Sequence, residues 1–131
     1  MGSTGYATAV ARIRDTIAAY AHALDDGRTD DLVATFAPDG VSTFPGTEPL
    51  RGHQALRAAY AALVPRGPQR HVVANTCVSE FDGRTALVVS DLVFLVKGDS
   101  SWTVRFAGRY TDRMRAEGDT WLFESRELVL D

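Results

Sequence analysis

The sequence is short of cysteine, of long apolar runs and of excess positive charge, and each shortage removes a class of function. A single cysteine in 131 residues, Cys77, excludes an internal disulfide and a four-cysteine zinc site, and it reads as a packed thiol. The longest apolar runs, Ala86–Val89 and Leu92–Val96, fall far short of the roughly 20 residues that cross a bilayer, so no transmembrane helix is expected. Lys and Arg number 14 against 17 Asp and Glu, a net charge of −3, which supplies no pull toward nucleic acid or an anionic membrane. There is no glycine-rich phosphate loop and no dinucleotide fingerprint, so a nucleotide cofactor is not expected. The three histidines are scattered and none is paired at a helical ligand spacing, so no metal is expected. The N-terminus has no basic stretch ahead of an apolar segment, which points to a cytoplasmic protein. Residues 1–6 read as a disordered end and 7–131 as one domain.

What is present is an α+β pattern, helices first and strands afterwards. Val10, Ile13, Ile17, Tyr20 and Leu24 recur at spacings of three and four through an alanine-rich stretch, which predicts an amphipathic helix over 7–24 ended by Gly27. Thr29 is expected to cap a short second helix over 31–36, closed by Pro38-Asp39-Gly40, before a short strand at 41–44. Gly52 opens a third helix that runs until Pro65. Beyond Pro68, β-branched runs separated by glycine turns predict long antiparallel strands over 70–81, 85–97, 101–115 and 120–130. Both faces of the second of these are apolar, so both need covering. The N-terminal helix inside a curved sheet would cover one, and a second copy of the chain or, more plainly, the third helix the other.

In the strand from Arg70, strict alternation puts His71, Val73, Asn75 and Cys77 on one side. If that side is concave, His71 and Asn75 face the end of the first helix, where Asp25 and Tyr20 stand. A carboxylate bonded to one imidazole nitrogen fixes the tautomer and leaves the other nitrogen as a base, and histidine's ordinary pKa of ~6.5 suits proton transfer at neutral pH. A plainer reading stays open on the residues alone: Asp25 ends a helix and His71 is satisfied by a backbone carbonyl. Asp91 is expected to pair with an arginine such as Arg105, and Trp102 and Trp121 to pack.

The ordered set Tyr20-Ala-His-Ala-Leu-Asp25, Asp31-Leu-Val-Ala-Thr-Phe36, Arg51-Gly52-His53, Arg70-His71-Val-Val-Ala-Asn75, Gly108-Arg-Tyr110-Thr-Asp112 and Trp121-Leu-Phe resembles the SnoaL-like group of the nuclear transport factor 2 superfold over nearly the whole chain. That group includes polyketide cyclases, scytalone dehydratase and hexachlorocyclohexane dehydrochlorinase. The resemblance implies a cone-shaped α+β barrel with a helix-closed pocket, usually dimeric and without metal or organic cofactor. It implies Asp25 and His71 as a catalytic pair, and an apolar, aromatic or polyketide-like ligand. The chain departs from scytalone dehydratase in lacking a further pocket histidine on a later strand, and among Arg109, Arg113, Arg115 and Arg126 none stands out as the counterpart of the late arginine of the dehydrochlorinase.

Three functions follow as expectations. The first is a cofactor-free lyase or isomerase, dehydratase- or cyclase-like, in which His71 takes a proton, Asp25 stabilises the imidazolium, and Tyr20, Asn75 and Tyr110 contact the substrate. The second is a non-catalytic binding or assembly module of the same fold. The third is a small structural subunit resembling the β subunit of ring-hydroxylating dioxygenases.

Overall fold

The computed structural model describes residues 5–131. The expected disordered end at 1–6 falls partly outside them: residues 1–4 are not among the described residues, and Tyr6 already belongs to a helix. That helix, α1 (Tyr6–Asp26), buries Ala9, Ile13, Ile17, Tyr20, Ala23 and Leu24, a stripe with helical periodicity. It stops at Gly27, whose φ of 72° lies in the left-handed region that glycine adopts without strain. Arg28 N–H then reaches back to the Ala23 carbonyl at 2.8 Å. The stop leaves Asp25 in the last turn, where its side chain can reach beyond the helix.

Helix α2 (Thr29–Val33) is shorter than expected, and Phe36 opens a strand rather than closing a helix. The N-cap position is Arg28, and no side chain caps it, so the expected Thr29 cap is absent. The chain turns at Thr35, whose hydroxyl donates to the Leu32 carbonyl at 2.6 Å. Strand β1 (Phe36–Thr43) absorbs Pro38 in an irregularity between Phe36 and Val41, where a missing N–H costs no ladder bond. A two-residue strand, β2 (Leu50–Arg51), leads into α3 (Gly52–Ala61).

The long strands fall close to where periodicity put them: β3 (Gln69–Ser79), β4 (Thr85–Lys97), β5 (Trp102–Glu117) and β6 (Thr120–Leu130). The six strands form one sheet in the order β2-β1-β6-β5-β4-β3. It is curved and unclosed, with β2 and β3 at its edges, and it is not wholly antiparallel, because β1 runs parallel to β6. Helix α1 contacts both β3 and β6, lying in the concavity of the sheet. There Ile13, Ile17, Tyr20, Val88, Leu92, Met114 and Phe123 form the core.

Alternation along β3 breaks at Asn75, which has φ of 54° in a bulge between Ala74 and Cys77. Asparagine tolerates this left-handed conformation because its short polar side chain bonds locally. The extra residue reverses the facing of everything after it. Thr76 turns inward, its hydroxyl donating to Ser90 Oγ at 3.3 Å, while Cys77 is exposed and not the packed thiol expected.

Candidate active site

The last turn of α1 meets the first residues of β3 through one carboxylate. Asp25 Oδ1 accepts from His71 Nδ1 at 2.7 Å and from Gln69 Nε2 at 3.1 Å, and Oδ2 accepts from the His71 backbone N–H at 2.8 Å. Burial pushes the Asp25 carboxyl up, but the bonds from the His71 ring, the His71 backbone and Gln69 outweigh it and hold the group below its ordinary value. Asp25 is therefore ionised at neutral pH, and an ionised carboxylate only accepts. The proton between the two side chains sits on Nδ1, which leaves the Nε2 lone pair of His71 as the basic position. The two side chains are 10% and 6% exposed for His71 and Asp25, which favours their mutual electrostatics over screening by water. Phe94 holds the ring from one face, with centroids 4.5 Å apart.

His71 also lines a cavity of about 410 Å³, with Asp25 behind it. Its walls are mostly apolar and aromatic: Leu24, Phe44, Phe94, Phe106 and Leu128, with Tyr20 and Tyr110 among them. The Tyr20 hydroxyl bonds Tyr60 at 2.7 Å, and Tyr60 bonds Ser42 Oγ at 2.9 Å. Burial raises the phenols, Tyr20 well above its ordinary value and Tyr110 to about 12, so both stay protonated and able to donate. The cavity has the size and apolar lining of a small-molecule site, with an imidazole and two phenols among its walls.

Of the five residues expected in the site, the structure brings Asp25, His71, Tyr20 and Tyr110 together and leaves Asn75 apart. The bulge turns Asn75 to the outer face, where it donates to Asp91 Oδ2 at 2.8 Å. Asp91 takes its ion pair from Arg109 at 2.9 Å, one strand over, and not from Arg105.

Sequence reasoning missed the buried partner of Asp112. The four arginines that competed there separate by face: Arg109 and Arg113 are exposed, and Arg115 pairs with Asp39 and Glu117. Arg126 is buried, with Nε donating to Asp112 Oδ1 at 3.0 Å. One signal was available, since Asp112 alternates with Tyr110 and Met114 on the inward face of β5 and calls for a cationic neighbour. Parity hid that neighbour. A register slip between Arg113 and Met114 moves β6 from odd inward residues, Trp121 and Phe123, to Arg126.

Comparisons with known proteins agree with this architecture. A family model described as a SnoaL-like domain matches residues 5–127. Among solved structures, Rv3472 of Mycobacterium tuberculosis, an aspartate-to-asparagine variant of unknown function, superposes with a TM-score of 0.86 at 25% identity. It covers 93% of this chain and 71% of that one. A Nostoc punctiforme protein of unknown function with a cystatin-like fold gives 0.85 at 22% identity over 100% and 96% of the two chains. A Catenulispora acidiphila protein in complex with S-DNPA gives 0.82 at 25% identity over 93% and 94%. No curated protein matches the chain in sequence.

Proposed function

The chain belongs to the SnoaL-like domain family, and from that premise we propose that it is a cofactor-free lyase or isomerase that abstracts a proton from a small, largely apolar substrate. One observation carries this reading: an ionised, largely buried Asp25 bonded to His71 Nδ1 at 2.7 Å, with His71 in the wall of a mostly apolar, aromatic cavity. His71 Nε2 accepts a carbon-bound proton. Asp25 stabilises the imidazolium that results, and a Tyr20 or Tyr110 hydroxyl donates to the oxygen on which charge collects. Dehydration, cyclisation and double-bond migration share this step. The structurally similar Catenulispora protein in complex with S-DNPA supports the reading of a small-molecule site on this fold.

The test is carbon-proton exchange. Cyclic hydroxyketones and aromatic polyketide-like ketones incubated with the protein in deuterated buffer should take up deuterium at the acidic carbon, and His71→Ala should abolish the uptake. Ligands that bind the cavity without exchange would favour the second reading, a binding module, for which the sparsely polar lining speaks.

The same proposal includes a homodimer and a cytoplasmic location. Val72 pairs with Val93, Leu95 with Val104 and Arg109 with Val129, so these valines share the outer face of the sheet. Val72, Val104 and Val129 are 47%, 59% and 56% exposed, an apolar surface suited to a second copy.

A further inference from the structure

The buried Asp112–Arg126 pair has no part in the chemistry above, yet its environment is unusual. Its side chains are 0% and 1% exposed, and Asp112 Oδ2 and both Nη atoms of Arg126 have no hydrogen-bond partner among the described residues. A buried guanidinium that forgoes these bonds needs another source of stabilisation. Three rings provide it. Arg126 Cζ lies 3.4 Å from the Tyr110 ring centroid, 4.3 Å from that of Tyr20 and 4.5 Å from that of Phe123. The carboxylate bonds Nε alone, while the guanidinium carbon lies over the rings. The pair is therefore a fixed dipole with its cationic end against the tyrosines. Tyr20 and Tyr110 are also walls of the cavity, so a single side chain separates that cation from any ligand inside.

We propose that the Asp112–Arg126 pair makes the cavity selective for aromatic or conjugated ligands bearing a delocalised oxyanion, a phenolate or enolate, with Arg126 as a positioning residue acting through Tyr110 and Tyr20. The inference rests on the cavity being the ligand site of the proposed function, but it does not depend on proton abstraction by His71. A cation held behind the ring that a ligand would touch, in apolar surroundings, is little screened and acts on charge rather than shape. Apolar walls alone would prefer the neutral form of the same molecule, and this dipole reverses that preference.

The experiment compares the binding of 4-nitrophenolate with that of its neutral counterpart, 4-nitroanisole, at mildly alkaline pH, as a ratio of dissociation constants. The wild-type protein should favour the anion. Asp112→Leu/Arg126→Met, which replaces the pair by apolar side chains, should lower the ratio about tenfold. Asp112→Asn keeps the cation and removes its counter-charge, so the ratio should rise. The double variant carries the test if Asp112→Asn folds poorly. Each protein is also measured with His71→Ala, so that proton transfer to the imidazole makes no contribution. A wild-type protein that fails to prefer 4-nitrophenolate, or a double variant whose ratio is unchanged or higher, overturns the inference. If instead the preference disappears only with His71→Ala, the inference falls and the dyad reading stands.

Discussion

Asp25 holds His71 twice, one carboxylate oxygen on the ring Nδ1–H and the other on the backbone N–H of the same residue. The first contact fixes the tautomer and the second fixes the height of the strand against the helix. The imidazole is thus oriented by a side chain seated in α1 and by the backbone to which it is attached.

Asp25→Asn retains a group of the same shape but cannot accept at both oxygens or stabilise an imidazolium. Exchange or turnover should fall about 10²–10⁴-fold, with His71→Ala at least as severe and the double variant adding little, because the two residues act as a unit. Rates within twofold of wild type in Asp25→Asn would remove the dyad from the mechanism.

The two aspartates should pull acid stability in opposite directions. Asp25 is lowered in the fold, so its contribution is present above the unfolded value near 3.8 and is lost as pH falls through the folded one. Asp112 is raised from 3.8 to about 6, mainly by burial, so its contribution is present below the unfolded value and is lost as pH rises through about 6. In thermal unfolding followed against pH, Asp25→Asn should gain acid resistance relative to wild type. Asp112→Leu/Arg126→Met should remove the decline across the window from 3.8 to about 6.

Breaking and replacing the buried pair should differ sharply. Arg126→Met alone strands the Asp112 carboxylate and should cost about 3–5 kcal/mol in chemical denaturation, whereas Asp112→Leu/Arg126→Met should be near neutral or stabilising. Equal losses in the two would mean that packing, not charge, dominates there.

Tyr20→Phe removes one bond of the Tyr20–Tyr60–Ser42 chain and should cost about 0.5–1.5 kcal/mol of stability. If the hydroxyl also donates to substrate, kcat should fall as well. An unchanged kcat with lowered stability would assign Tyr20 a purely structural role.

The outer valines should be an interface. Sedimentation at micromolar concentration should give a dimer, and Val104→Glu, which puts a charge on the most exposed of these valines, should give a folded monomer. A monomeric wild-type protein would remove the dimer from the proposal.

Element types were legible because they rest on local periodicity: the stripe from Ile13 to Leu24 and the alternation from Val88 to Leu92 need no tertiary information. The meeting of Asp25 with His71 was expected from family resemblance; the residues alone left a plainer reading open. What escaped was every consequence of a one-residue slip. The bulge at Asn75 sent Asn75 and Cys77 outward, and the slip in β6 brought Arg126 inward. Bulges answer to sheet curvature and to neighbouring strands, which leave little trace in the local pattern. Phe36 was misassigned for a similar reason, since a proline and a glycine that look like helix punctuation are accommodated within an irregular strand paired to β6.

The His71 imidazole stands on a border of the sheet, since β3 is hydrogen-bonded to β4 alone. A border strand displays a row of free amides to which any passing extended chain can add, and proteins blunt such rows with charge, kinks or cover. Here the amide of His71 is already taken by Asp25, and the kink at Asn75 interrupts the row four residues on. The carboxylate that orients the imidazole therefore also helps keep foreign strands off the open margin of the molecule. Loss of Asp25 should therefore free both the imidazole and the strand edge, leaving the protein more prone to self-associate through that margin.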